Sequence, residues 1–225
     1  MGAGAQRVTI PIFPLSNIVL FPGVESPLHI FEPRYRAMTA DALSGARTIG
    51  MVAVRREALD AMDGDPPLYP LGCAGVIRSA EKLQDGRYDM VLLGTRRFRI
   101  EHEPRRPETR LYRVAEVTFL DDVNPPGDAA LLRKRRHEVV ALFSRLVRRT
   151  APERSEELSE DLFANVEDAV LVNSFCQLLD LDPVEKQGLL QTARLAERCE
   201  QLATILQFRL AELGGQPPDS EPKLH

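Results

Sequence analysis

Apolar residues in the first half of the chain fall into short runs, several of them alternating with polar positions. Residues 8–13, 26–31, 48–54, 72–83, 88–94, 97–102 and 112–119 each read as a strand, because a period of two sends successive side chains to opposite faces. Turn formers punctuate them: Gly64-Asp65-Pro66-Pro67, Asp85-Gly86, and the prolines between 104 and 107. Asp85-Gly86 sits between two alternating runs and predicts a hairpin. One short helix fits residues 33–43, with Pro33 at its first position and Tyr35, Met38, Ala42 and Leu43 on one side. Strands this short and this closely spaced predict a barrel or pseudo-barrel, not an alternating strand–helix sheet.

After Asp121-Asp122-Val123-Asn124-Pro125-Pro126-Gly127 the apolar spacing changes to three and four residues. Leu132, Val139, Phe143, Leu146 and Val147 predict a helix that stops at Thr150-Ala151-Pro152. A second is predicted over residues 159–181. A third opens at Asp182-Pro183-Val184-Glu185, where an N-cap acid, a first-turn proline and a capping-box Glu coincide. Its stripe runs from Leu189 through Cys199 and Leu206 to Leu213, and Gly214-Gly215 ends it. The fold class expected is therefore α+β. The boundaries expected are a β domain over residues 1–123, a helical bundle over 124–213 and a disordered tail over 214–225.

Residues 10–35, IPIFPLSNIVLFPGVESPLHIFEPRY, concentrate five prolines, one glycine and many large apolar side chains. They read as short strands joined by fixed turns, with Phe21-Pro22-Gly23 suited to a turn. The segment has no nucleophile, metal cluster or phosphate loop, which moves attention from catalysis to binding.

Charge is uneven within a formal total of −4. Residues 94–149 carry 14 basic against 8 acidic side chains, whereas residues 150–225 carry 6 against 15. Mutual attraction of the two stretches is the favoured reading, over a basic face for an acidic partner. Cys73, Cys176 and Cys199 lack disulfide or zinc spacing, and the second and third fall on apolar helix positions. Glu101-His102-Glu103 alternates across a strand, so His102 faces away from both acids. No Gly-Lys pair exists to build a nucleotide-binding P-loop. With no secretory signal and no apolar run of membrane-spanning length, the expected location is cytoplasmic. No cofactor or metal is expected.

The segment Pro14-Leu15, then Val19-Leu20-Phe21-Pro22-Gly23, then Pro27-Leu28-His29-Ile30-Phe31-Glu32-Pro33-Arg34-Tyr35-Arg36 resembles the opening of the N-terminal substrate-binding domain of the Lon family of ATP-dependent proteases. Gly72 to Ile77, Gly94-Thr95-Arg96-Arg97-Phe98-Arg99-Ile100, Glu185-Lys186-Gln187-Gly188-Leu189-Leu190 and Arg194-Leu195 extend the resemblance over residues 8–213. It is most similar to short, stand-alone members of the family. Two departures are Ser16-Asn17, where full proteases more usually carry Arg-Asp, and Asn173, where Asp is common. The resemblance implies a PUA-like β pseudo-barrel followed by a C-terminal α-helical bundle. It also implies a non-catalytic recognition module, since the chain ends before an ATPase or Ser-Lys peptidase module would begin.

The expected partners are unfolded or degron-bearing polypeptide, or a partner protein in protein quality control. Phe31, Tyr35, Leu68 and Tyr69 are the candidate contacts, because they flank proline-bounded turns that tend to reach the surface. Core burial competes for Phe31 and Tyr35, and Leu68-Tyr69 after the Gly64–Pro67 loop is preferred. The alternative is RNA binding by the barrel, with Arg96, Arg97, Arg105 and Arg106 on phosphates. Sparse aromatics and an overall acidic pI count against it. No oligomeric state is fixed by the sequence.

Overall fold

In the computed structural model, which describes residues 7–61, 64–155 and 161–214, six strands form one sheet and seven α-helices accompany it. The strands are β1 (Arg7–Leu15), β2 (Glu25–Ile30), β3 (Thr48–Ala53), β4 (Leu71–Lys82), β5 (Tyr88–His102) and β6 (Arg113–Leu120). Their order is β2-β5-β4-β3-β1-β6, and β6 pairs again with β5. That extra pairing closes β1, β3, β4, β5 and β6 into a ring and leaves β2 as the one strand with a single neighbour. β1 and β3 run parallel; every other pairing is antiparallel.

Closure depends on β5 being one strand where the sequence suggests two. Its first part pairs with β2 through Leu93, and its last part pairs with β6 from Arg97 onward. Between them the register against β4 slips, from Ala74↔Arg96 to Gly75↔Gly94, so Thr95 is bulged out of the ladder. The Thr95 hydroxyl donates to the Ala74 carbonyl at 2.9 Å and secures the irregularity. A bulge bends a strand and sharpens its twist, which lets one ribbon serve two neighbours in succession. Gly94 at this bend lies so close to the chain that a Cβ there would be 2.1 Å from the Phe21 carbonyl oxygen.

The β4–β5 connection is the hairpin the Asp85-Gly86 pair predicts. Leu83 N–H bonds the Arg87 carbonyl, and Gly86 takes a φ of 83°. Inside the ring, Ile10, Ile12, Val52, Val54, Ala74, Phe98, Ala115 and Val117 form the core, with Leu68 among them. Helix α1 (Pro33–Ser44) buries Tyr35, Met38, Thr39 and Ala42, as its apolar spacing requires. A 3₁₀ segment at Arg56–Ala61 follows β3.

The remaining helices are α2 (Ala129–Thr150), α3 (Pro152–Ser155), α4 (Asp161–Ala164), α5 (Asp168–Leu178), α6 (Pro183–Gln191) and α7 (Leu195–Gly214). Two breaks depart from the sequence expectation. The helix expected over residues 159–181 is interrupted after Ala164, because Arg136 takes the Phe163 and Val166 carbonyls and pairs with the Asp168 carboxylate. The helix expected from Asp182 to Leu213 stops at Gln191. Arg194 turns out to grip both carboxylate oxygens of Asp128 at 2.6 Å, and α7 begins only at Leu195. The capping box at Asp182 forms as its sequence suggests, with Val184 N–H on the Asp182 carboxylate and Glu185 on the Asp182 N–H.

The described residues divide into two compact units, one within 1–122 together with 173–193, the other within 123–172 together with the residues from 194 to 214; the tail expected over 214–225 lies, past Gly214, outside the described residues. The division does not follow a single cut after residue 123. Residues 173–193 associate with the sheet because their side chains bond its backbone. Asn173 donates to the Pro22 carbonyl, Gln177 to Glu25 and Gln187 to Leu71, each at 2.9 Å. In the other unit α2 and α7 pack together and run parallel, with Arg135 paired to Glu200 and Arg149 bonded to the Leu210 carbonyl.

Candidate functional site

The strand with one neighbour, β2, turns one row of side chains to solvent. Burial along β2 alternates residue by residue, so Ser26, Leu28 and Ile30 point inward while Glu25, Pro27 and His29 point outward. Phe31 continues the outward row and keeps 60% of its surface exposed. An exposed phenyl on an otherwise well-packed sheet is the kind of feature that marks a contact surface. Across the ladder, Pro27 faces Val91 and His29 faces Asp89. Together with Leu28 and Met90 they line an open groove of about 370 Å³.

Polar order beside Phe31 is high. His29 Nδ1 lies 2.5 Å from Asp89 Oδ1, and Arg87 Nη1 lies 3.2 Å from His29 Nε2. Arg87 in turn donates to Asp85 at 2.6 Å. Both contacts of the ring are met by one neutral tautomer, with the proton on Nδ1 donated to Asp89 and Nε2 accepting from Arg87. The imidazole is thus pinned, and its face lies 6.3 Å from the Phe31 ring at an interplanar angle of 26°. The outer edge of β2 is blunted for strand addition: Pro27 has no N–H, and Gln177 already occupies the Glu25 carbonyl.

The other polypeptide candidates fare differently. Tyr35 is buried, with its ring 4.4 Å from that of Phe13, the Arg34 guanidinium over it, and burial raising its phenol above the ordinary value. Leu68, expected at the surface, is only 8% exposed and belongs to the ring core. The reason is a local one: Leu68 bridges Val54, and Tyr69 N–H bonds the Ala53 carbonyl, so the segment lies along the end of β3 instead of looping out. Tyr69 remains half-buried and borders a cleft of about 180 Å³ with Ser16, Val54, Arg56, Asp182, Pro183 and Val184.

Of the four arginines proposed for phosphate contact, Arg97 is only 1% exposed. Its Nε lies 2.9 Å from Asp122, and its remaining nitrogens donate to the Asp121 and Leu190 carbonyls. It braces the interior and is not a phosphate ligand. Arg96 pairs with Asp121 at 2.8 Å and lies over the Phe119 ring, while Arg106 forms a two-pronged pair with Asp65. Arg105 is exposed.

Cys73, Cys176 and Cys199 are free and buried, and burial pushes the Cys199 thiol up to about 11, which keeps it protonated and unreactive. Among the described residues no group of three or more His, Cys, Asp or Glu is placed to hold a metal ion. Nor is any described helix long and apolar enough to cross a membrane.

Residues 9–207 match the model of the ATP-dependent protease La (LON) substrate-binding domain. The chain belongs to that family. It is 31% identical over 223 residues to the Lon protease of Parabacteroides distasonis, covering 93% of this chain and 25% of that protein. It is 29% identical over 202 residues to the Lon protease of Anaeromyxobacter dehalogenans, covering 88% of this chain and 23% of that one. The chain thus spans about a quarter of the length of these Lon proteases. Among solved structures, a Lon N-terminal domain protein from Xanthomonas campestris matches with a TM-score of 0.57 at 25% identity, over 88% of this chain and 98% of that one. The N-terminal domain of a Mycobacterium avium complex Lon protease shares the fold, with a TM-score of 0.64 at 16% identity over 89% of this chain and 98% of that one. The Lon-type sheet-and-helix architecture and the β2 surface thus occur in one and the same matched region.

The groups that sequence reasoning overlooked are Asp89 and Arg87, which fix His29, and Asn173 and Gln177, which hold the Phe21-Pro22-Gly23 turn. For the first pair a partial signal existed: the Asp85-Gly86 hairpin sets Arg87 and Asp89 at the head of β5, the strand that also pairs with β2. For the second none did, because the contacts join positions more than 150 residues apart in the chain.

Proposed function

We propose that this chain is a recognition module without chemistry of its own, holding unfolded or degron-bearing polypeptide, or a partner protein, in protein quality control. The observation that carries the reading is the outward row of Pro27, His29 and Phe31 beside an open groove, on a domain of the Lon substrate-binding family. Because the β2 edge is blunted, a client is held by its side chains against the groove and Phe31, not as an added strand. Tyr69 and its cleft offer a second foothold on the same unit. We read the closed ring as a PUA-like pseudo-barrel and the helices of the second unit, among those beyond residue 123, as a bundle. The cytoplasm is the compartment this role assigns.

The RNA-binding alternative loses its central residue with Arg97 in the interior, and Arg96 and Arg106 already neutralised by carboxylates.

The test is a fluorescence titration with labelled, reduced and carboxymethylated α-lactalbumin, a chain that cannot refold. Phe31→Asp lies on the surface and leaves the fold intact, and it lowers affinity by about tenfold or more, the loss expected for an anchor residue. Equal affinity of wild type and Phe31→Asp overturns the assignment of this surface.

A further inference from the structure

The helical unit has a concavity of its own. It is a cleft of about 560 Å³ between α2 and the segment carrying Phe163, Ala164 and Asp168. Its size falls within the range of about 300–1,000 Å³ typical of ligand sites. Leu132, Val140 and Phe163 supply apolar walls, and Arg133, Arg136 and His137 supply the polar ones.

The three basic groups are not equivalent. Arg136 is committed to the architecture, since it bonds the Phe163 and Val166 carbonyls and the Asp168 carboxylate. It fixes the far wall in place and carries little charge outward. Arg133 and His137 lie one turn apart on the same face of α2 and both are exposed. Among the described residues neither has an ion-pair or hydrogen-bond partner. The helix they stand on carries seven arginines and lysines against one acid, Glu138, so the rim of the cleft sits in a positive local field.

We propose that this cleft is a second binding site, for a short polypeptide segment in which a large apolar side chain lies beside a carboxylate. The apolar group enters between Leu132, Val140 and Phe163, and the carboxylate meets Arg133 with His137 behind it. An arginine presents a planar fork that matches a carboxylate in two places, which supplies orientation as well as charge. Nucleic acid fits less well, because Phe163 is the lone aromatic in the lining and offers no row of stacking platforms.

The probe is a fluorescein-labelled peptide, Gly-Ser-Phe-Leu-Asp-Leu-Glu amide, beside the same peptide with Asn and Gln replacing its acids. Anisotropy is read with wild type, Arg133→Glu, His137→Glu and Phe31→Asp, each first checked for an unchanged thermal melt. The acidic peptide binds wild type, and reversing the charge at Arg133 weakens it by about tenfold or more, as does neutralising the peptide. His137→Glu weakens it in the same direction. Phe31→Asp separates the two surfaces: loss with Arg133→Glu that Phe31→Asp does not reproduce reports the cleft, whereas loss with Phe31→Asp alone reports the β2 surface and overturns the assignment to the cleft. No binding of the acidic peptide to wild type, equal binding of the two peptides, insensitivity to Arg133→Glu, or displacement by an equimolar single-stranded oligoribonucleotide each overturns the proposal.

Discussion

Gln177 holds Phe21 by its backbone: the Phe21 N–H donates to Gln177 Oε1 at 3.1 Å, while Gln177 Nε2 donates to the Glu25 carbonyl at 2.9 Å. One amide side chain therefore brackets the turn that leads into β2, and Asn173, one helical turn earlier, bonds the Pro22 carbonyl. Replacing Gln177 by Leu leaves partly buried backbone groups without partners and costs about 1–3 kcal/mol. Urea unfolding measures this as a lower midpoint at unchanged slope. Asn173→Asp is destabilising too, because a carboxylate has no N–H to give the Pro22 carbonyl.

Gly94→Val introduces atoms where a Cβ already falls 2.1 Å from the Phe21 carbonyl oxygen. Backbone must move on one side, and overpacking of this kind costs about 1–3 kcal/mol or more. A lowered melting temperature with an otherwise native circular dichroism spectrum is the expected outcome.

Leu68→Asp and Phe31→Asp separate core from surface. The first places a charge within the ring core and unfolds or strongly destabilises the protein. The second leaves the thermal melt within about 0.5 kcal/mol of wild type. Differential scanning calorimetry of the two variants side by side reads the contrast directly.

Arg97→Met removes one partner of a buried pair and leaves Asp122 beside an apolar side chain. Breaking such a pair costs about 3–5 kcal/mol. The double variant Arg97→Met, Asp122→Leu recovers part of that loss, which a denaturant cycle over the four proteins measures.

Tyr112 gives the chain an alkaline limit. Burial first, and then its hydrogen bond to the Asp41 carboxylate at 2.7 Å, pushes the phenol from 10.0 up to about 12. The folded state therefore keeps this proton to higher pH than the unfolded chain does. The stabilisation is fully present below about pH 10 and is lost as pH rises from about 10 through 12. Tyr112→Phe flattens the fall in urea midpoint across that window, while the raised phenol of Tyr35 retains a share of it.

Much of this architecture is legible in the residues, and what is not has physical causes. Alternation gave β2 and the hairpin at Asp85-Gly86, and the capping box gave the start of α6. The continuity of β5 was hidden because a bulge at Thr95 breaks the alternation without ending the strand. The helix breaks after Ala164 and Gln191 are hidden because each coincides with a contact distant in sequence, Arg136 with Phe163 and Arg194 with Asp128. At the candidate surface, the sequence offers Phe31 against a competing core role and favours Leu68-Tyr69, yet backbone pairing with the end of β3 draws Leu68 inward. Proline-rich flanks announce a turn; they do not say which of its apolar neighbours remains outside.

The uninterrupted run of β5 has one more consequence. The groove beside β2 and the wall of the closed ring are two stretches of the same ribbon, with only the Thr95 bulge between them. A surface mounted in that way has no hinge with which to adapt to its occupant. Under the proposed role the adaptation falls to the client, and chains still able to bend are held while rigid, finished folds are passed over.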